Sequence, residues 1–292
     1  MISLQIRELD AVFMSYDEVY ADFFFEKWQQ IFKKIHRVHG VHGLNNAHIM
    51  ACEAATTDYF VLIDADAYPL VDRFVDSTFS VGLDTVVANL QSIQSVTGTY
   101  TPHGGIKIIN RKLAKAFFEG ARSSTVNYVF KQGFEVIDGP ALSVEFTNQS
   151  PELAFTSAYK DSALLLRATF DPITYIEPQD LSGLRGKRQR IWPWLTNGCE
   201  EPYGLYSVLG AHTAVYNVFT KNVPLCRESL EHYKRQKFQI PTLNSYSDLM
   251  DRLDVMYDEL QIPMMVPIEP TVLRTDMYER FETLAKKYGE IL

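Results

Sequence analysis

The stretch Tyr59-Phe60-Val61-Leu62-Ile63-Asp64-Ala65-Asp66 decides the reading of the fold. Its first five residues are an unbroken apolar run of strand length with aspartates on either side, the pattern of a strand covered on both faces. Open parallel sheets of that kind bind ligands at the carboxyl ends of their strands, which is where Asp64 and Asp66 stand. Two carboxylates one residue apart can share Mg2+ or Mn2+ with diphosphate oxygens, neutralising charge on a departing nucleoside diphosphate. The same pair also suits a plain strand-ending turn, because aspartate side chains bond to nearby backbone.

Outward from that strand, Ala11 to Ser15 reads as the first strand, followed by polar Tyr16-Asp17-Glu18 and an amphipathic helix through about Ile35. The turn His39-Gly40-Val41-His42-Gly43 leads to Asn45-Asn46, placed to cap a helix from Ala47 to Ala55. Further strands are expected at Thr85–Leu90, Ile106–Ile109, Phe134–Ile137 and Leu142–Phe146. A helix should start at Ser150-Pro151, since proline is tolerated in a first turn. Beyond Phe219 the period turns helical, over Arg227–Gln236, Tyr246–Leu260 and Thr271–Tyr288. The alternation predicts an α/β fold, a mostly parallel sheet flanked by helices over residues 1–220, with a helical C-terminal subdomain over 221–292 packed on it.

With 292 residues and 46% apolar content the chain can bury a sizeable core. Cys52, Cys199 and Cys226 are odd in number and far apart, fitting neither a disulfide framework nor a zinc pattern, so a reducing cytoplasm is the expected location. No stretch approaches the ~20 apolar residues of a membrane span, and Arg7, Glu8 and Asp10 interrupt any signal-peptide core. A formal net charge of -8 argues against indiscriminate nucleic-acid binding but leaves room for a local basic stripe.

Four other constellations carry possible chemistry. If Tyr203 to Phe219 is helical, His212 sits at the centre of an apolar face with Leu205, Val208, Leu209, Val215, Tyr216 and Phe219, either as a core histidine or turned toward a site. Asp161 lies by helical angle among Leu153, Ala154, Ser157, Ala158, Leu164 and Leu165, where a carboxylate needs a salt bridge, a metal contact or a catalytic role. His103-Gly104-Gly105-Ile106-Lys107 pairs glycines that let backbone approach a ligand with a lysine suited to phosphate, although a generic turn before a strand looks alike. Leu184 to Trp194 sets Arg185, Lys187, Arg188 and Arg190 beside Trp192 and Trp194, suited to a polyanion and a stacked base, or simply solvated charge on a loop.

These blocks, in order, resemble the phage DNA-base glycosyltransferases grouped as TET/JBP-associated glycosyltransferases, of the GT-A type. The resemblance runs from Asp10 to Glu18 through Arg37 to Gly43, Asn45 to His48, Asp64 to Ala67, His103 to Lys107 and Arg190 to Trp192, ending at Tyr203 to Ala211. It implies a GT-A-like (Rossmann-like) sheet and transfer of a sugar from a UDP-sugar to a 5-hydroxymethylpyrimidine, such as 5-hydroxymethylcytosine, in phage DNA. On that reading Asp64, Asp66 and His212 hold Mn2+ or Mg2+. Ser15, Tyr16, Asp17, Asn45, His48, Ala65, Gly104 and Gly105 meet the nucleotide-sugar, and Lys107 assists leaving-group charge. Asp161 is the candidate base of an inverting reaction. Arg185, Lys187, Arg188, Arg190 and Trp192 grip the DNA, with the base flipped into a recessed site.

Ser150-Pro151 stands where the family has Asp-Pro, and Phe155-Thr156-Ser157-Ala158 where it has Trp-Arg-Ser-Ala, which leaves the acceptor's chemistry and the base open. Two other classes compete. A sugar-nucleotide nucleotidyltransferase ordinarily carries a glycine-rich basic loop after its first strand, where this chain has Tyr16-Asp17-Glu18. A non-enzymatic DNA-associated phage protein would use the aspartates merely to end a strand.

Overall fold

The computed structural model describes residues 1–71, 77–101, 105–120, 133–170, 191–220 and 239–289. The chain forms two compact units, the first from Met1–Gln94, Tyr100–Phe146 and Tyr278–Leu292, the second from Ser95–Thr99 and Thr147–Met277. The expected helical subdomain over 221–292 is thus divided, its last helix belonging to the first unit.

In chain order the first unit contains β1 (Ile2–Gln5), β2 (Asp10–Ser15), α1 (Ala21–Gln29), β3 (Ile35–His39), α2 (Leu44–Ala54), β4 (Tyr59–Asp64) and β5 (Ala67–Pro69). There follow β6 (Thr78–Val81), β7 (Val87–Asn89), β8 (Ser92–Gln94), β9 (Tyr100–Thr101), β10 (Ile106–Asn110), α3 (Arg111–Gly120), β11 (Phe134–Val136) and β12 (Ser143–Glu145). The principal sheet is six-stranded, in the order β11-β7-β10-β4-β2-β3. Its strands run parallel at β11/β7, β4/β2 and β2/β3, and only β10 is reversed, being antiparallel to both β7 and β4. A second sheet runs β5-β12-β8-β9, and β1 pairs with β6. The α/β class and the mostly parallel sheet are as the sequence predicts.

The run at β4 is apolar throughout because both faces of the strand are covered. Phe60 and Leu62 face a cluster with Val12, Ala51, Cys52, Ala114 and Phe118, built by α2 and α3. Across the sheet, Phe13 meets Phe25 of α1 at 5.4 Å between ring centroids. At the amino end of neighbouring β2, Asp10 is 4% exposed, and its Oδ2 accepts hydrogen bonds from the Thr56 N–H, the Thr56 hydroxyl and Lys34 Nζ. Burial alone would raise this carboxyl's pKa, but the Thr56 bonds and Lys34 outweigh it and hold it below the ordinary value.

The second unit is helical among the described residues, with α4 (Pro151–Phe170), α5 (Gly204–Phe219) and α6 (Tyr246–Leu260). α7 (Met277–Gly289) then starts where the chain returns to the first unit. Gly210 explains a glycine inside α5: a Cβ there would lie 2.2 Å from the carbonyl oxygen of Phe155, so α4 and α5 touch backbone to side-chain-free backbone. α6 starts on a reciprocal cap, Ser245 accepting from the Asp248 N–H and Asp248 accepting from the Ser245 N–H.

Several boundaries differ from expectation. α1 stops at Gln29 and Ile35–His39 is a strand, because an edge strand exposed on one side needs no apolar run, and its His and Arg residues blur the pattern. α2 begins one turn earlier than Ala47, so Asn45 and Asn46 lie in its first turn and Gly43 precedes it. The last helix starts at Met277 rather than Thr271. The helix expected over Arg227–Gln236 falls outside the described residues.

Candidate active site

From β2 the chain passes to β3 on one side and then crosses to β4 on the other, so the strand order reverses between β2 and β4. Ligand crevices of open α/β sheets lie at such a switch point, beyond the carboxyl ends of the strands. In register, Met14 of β2 stands opposite Asp64 of β4, which brings Ser15, Tyr16 and Asp17 beside the Asp64-Ala65-Asp66 turn.

That turn is held from several sides by the first unit's own backbone. The Asp64 N–H donates to the Gly105 carbonyl at 2.7 Å, the Phe146 N–H donates to the Asp66 carbonyl at 2.8 Å, and the buried Trp28 indole N–H donates to the Ala67 carbonyl at 2.8 Å. Gly105 is required here: a Cβ would fall 2.6 Å from Ala67 Cβ and 3.5 Å from an Asp66 carboxylate oxygen. Ala65 is buried, and the two aspartates flanking it are half-buried.

Lys107 Nζ sits 2.5 Å from Asp64 Oδ2, with only 15% of its side chain exposed. The other oxygen, Asp64 Oδ1, is buried with no hydrogen-bond partner. A buried carboxylate oxygen without a donor is costly in a finished site, and a divalent cation is the chemistry that satisfies it. Among the described residues no cluster of three or more His, Cys, Asp or Glu is arranged to hold a metal. Two carboxylates fit an ion that takes its other ligands from diphosphate and water, as Mg2+ and Mn2+ do, better than an all-protein cage.

Of the expected donor residues, Tyr16 and Asp17 are exposed at the carboxyl end of β2, with the Tyr16 ring 6.5 Å from that of His42. The loop carrying His42 turns at Gly40 and Gly43, whose φ of 68° and 89° favour glycine. Ser15 is turned inward instead: its hydroxyl accepts from Arg37 Nε at 3.1 Å and bonds His39 Nδ1 at 2.9 Å. His48 is also buried, its ring tilted against that of Phe118 at 4.5 Å between centroids and its Nδ1 on the Leu44 carbonyl. Desolvation pushes its pKa down, opposed by the bond to the Leu44 carbonyl, and the charges of Lys107 and Asp64 act on the ring in opposite directions. Asn45 is half-buried in the first turn of α2.

Two expectations need correction. His212 belongs to the second unit and is fully buried, its Nε2 on the Leu195 carbonyl at 2.9 Å and its Nδ1 on the Tyr257 hydroxyl at 2.8 Å. A carbonyl can only accept, so Nε2 carries the proton and Tyr257 donates to Nδ1. Both nitrogens are used, and no lone pair is left for a metal.

Asp161 of α4 is half-exposed, 3.8 Å from Lys160, and not in an apolar interior. The buried face of α4 is Ala154, Phe155, Ala158, Tyr159, Ser162, Ala163 and Leu166, roughly 155° around the helix from the stripe through Leu153, Ser157 and Asp161. The burial that singled Asp161 out as a base is absent. Glu145, which the sequence reading passed over, accepts the Gly105 N–H at 2.5 Å.

Gly104 and the basic residues Arg185, Lys187, Arg188 and Arg190 lie outside the described residues. Trp192 is 55% exposed in a short helical segment, residues 191–196.

His212 yields a pH prediction. Desolvation lowers its pKa to about 4 from an unfolded value near ~6.5, so its contribution is complete above ~6.5 and is lost as pH falls toward 4. The window is worth about 3 kcal/mol. In urea titrations the stability gap between wild type and His212→Gln should be widest at neutral pH and should close toward pH 4. A gap that is constant with pH would show that His212 titrates normally.

No protein-family profile matches the chain, and no curated protein does. Among solved structures, the mannosyltransferase PcManGT from Pyrobaculum calidifontis, in complex with GDP-Man and Mn2+, shares 10% identity over 96% of this chain and 85% of its own, at a TM-score of 0.38. S. aureus TarS 1-349 shares 12% identity over 87% of this chain and 92% of its own, at a TM-score of 0.29. Likenesses this weak carry no argument about activity. Among the described residues no helix is long and apolar enough to cross a membrane.

Proposed function

We propose that the protein is a glycosyltransferase of GT-A-like design that takes a nucleotide-sugar donor with Mn2+ or Mg2+. The observation that carries it is the Asp64-Ala65-Asp66 turn at the switch point of the sheet, with a buried Asp64 oxygen lacking a donor. Asp64 and Asp66 would hold the ion, which supplies charge neutralisation for the diphosphate when bound. Tyr16 and Asp17 at the end of β2, with the glycine-hinged loop of His42, face the donor's nucleoside. Lys107, fixed on Asp64, stands within reach of leaving-group charge. In the transfer the acceptor hydroxyl oxygen bonds to the anomeric carbon as that carbon's bond to the diphosphate oxygen breaks, the nucleoside diphosphate leaving with the bonding pair and the hydroxyl proton passing to water.

For the acceptor we favour a 5-hydroxymethylpyrimidine in DNA, and for the donor a UDP-sugar. Support comes from the ordered blocks resembling the phage DNA-base glycosyltransferases and from the basic stretch Arg185 to Arg190 with Trp192. Hydroxymethylated DNA incubated with Mn2+ and a panel of UDP- and GDP-sugars, then digested to nucleosides for mass spectrometry, should show a nucleoside heavier by one sugar. A mass shift with a small-molecule or protein acceptor but never with DNA would keep the transferase and discard the acceptor. No transfer to any acceptor would discard both.

A further inference from the structure

We propose that Glu145 is a positioning residue for the metal turn, a role that rests on the reading of Asp64 and Asp66 as the metal carboxylates. Its backbone lies in β12, paired with Ala67 on one side and Gln94 on the other, so it is fixed to the strand that begins immediately after Asp66. Its side chain reaches across to the start of β10, accepting the Gly105 N–H at 2.5 Å. Gly105 in turn accepts the Asp64 N–H at 2.7 Å and packs where no Cβ could fit against Ala67. Glu145 therefore ties both flanks of the Asp64-Ala65-Asp66 turn together, with β5 held by its backbone and β10 by its carboxylate. The neighbouring Phe146 N–H adds the bond to the Asp66 carbonyl.

Toward the Gly105 N–H the staple needs an acceptor oxygen at the length of a glutamate arm, which a glutamine carbonyl also supplies. Groups that hold metal ligands in place typically cost tenfold to a hundredfold in metal affinity when removed, roughly, even though they never touch the ion. A metal ligand or an acid-base group at this position would require the carboxylate itself.

Mn2+ affinity in the presence of saturating UDP, read by the electron paramagnetic resonance of free Mn2+, separates these roles without reference to activity. Glu145→Gln keeps the acceptor and should stay within about threefold of wild type, while Glu145→Ala and Glu145→Asp, which lack the oxygen or the reach, should weaken binding about tenfold or more. Thermal melting of each variant without ligand identifies any that are simply unfolded, and the Gln and Asp pair decides the matter if the Ala variant is lost. Equal affinity in wild type and a folded Ala or Asp variant would overturn the proposal alone, as would a Gln variant as weak as the Asp variant. If wild type itself binds no Mn2+ with UDP, the metal reading of the site falls and this role with it.

Discussion

Asp66→Ala should erase the joint stabilisation of the protein by Mn2+ and UDP. At a hundredfold excess over the dissociation constant a bound ligand adds about 2.7 kcal/mol of stability. For a chain of this size that is a melting shift on the order of 5 °C. Neither Mn2+ nor UDP alone should produce it, since the two carboxylates need the diphosphate to complete the coordination. In turnover the loss should reach about a thousandfold, because Lewis-acid stabilisation is worth several kcal/mol and each ~1.4 kcal/mol is a factor of ten.

Asp64→Ala should lose the same ligand effect and also melt lower without ligand. Lys107 is only 15% exposed on its side chain and would be left without this carboxylate, at a cost of roughly 1–2 kcal/mol after solvent screening. Full joint stabilisation surviving in Asp66→Ala would remove the turn from the donor site.

The parts of this site that were legible in the sequence are those whose cause is local. β4 announces itself because burial on both faces demands an unbroken apolar run, and Asp64 and Asp66 follow from where such a strand ends. His212 was readable as a residue of an apolar helix face, but not as a satisfied one. Its partners, the Leu195 carbonyl and the Tyr257 hydroxyl, lie 17 and 45 residues away, and one of them is backbone. Apolar residues occur all round α4, and helical angle alone does not say which side another helix covers. Glu145 left only a faint trace, a carboxylate at the end of an expected strand, since its partner is a backbone N–H 40 residues distant.

Phe281→Ala should cost about 4 kcal/mol. Phe281 is fully buried in α7, and its ring meets Phe24 and Phe146 at 4.7 Å, Tyr20 at 5.0 Å, and Phe23 and Tyr68 at 5.8 Å between centroids. The edge-to-face contacts with Tyr20, Phe24 and Phe146 and the stacked ones with Phe23 and Tyr68 add to the area the ring buries, and their loss leaves a cavity that the surrounding aromatic rings cannot close. One residue on, Glu282 accepts from Lys27 Nζ at 2.7 Å and from the Tyr68 hydroxyl at 2.8 Å, which orients α7 on α1 and β5.

The consequence reaches the metal turn, because Tyr68 is two residues beyond Asp66 and Phe146 donates the backbone bond to the Asp66 carbonyl. Chemical denaturation followed by circular dichroism should show the loss in Phe281→Ala, and Phe281→Leu, which fills most of the volume, should recover more than half of it. Well below its melting temperature, Phe281→Ala should also bind Mn2+ with UDP more weakly than Phe281→Leu does. If alanine at this position costs less than ~1 kcal/mol, α7 is not the support of the first unit that its packing indicates.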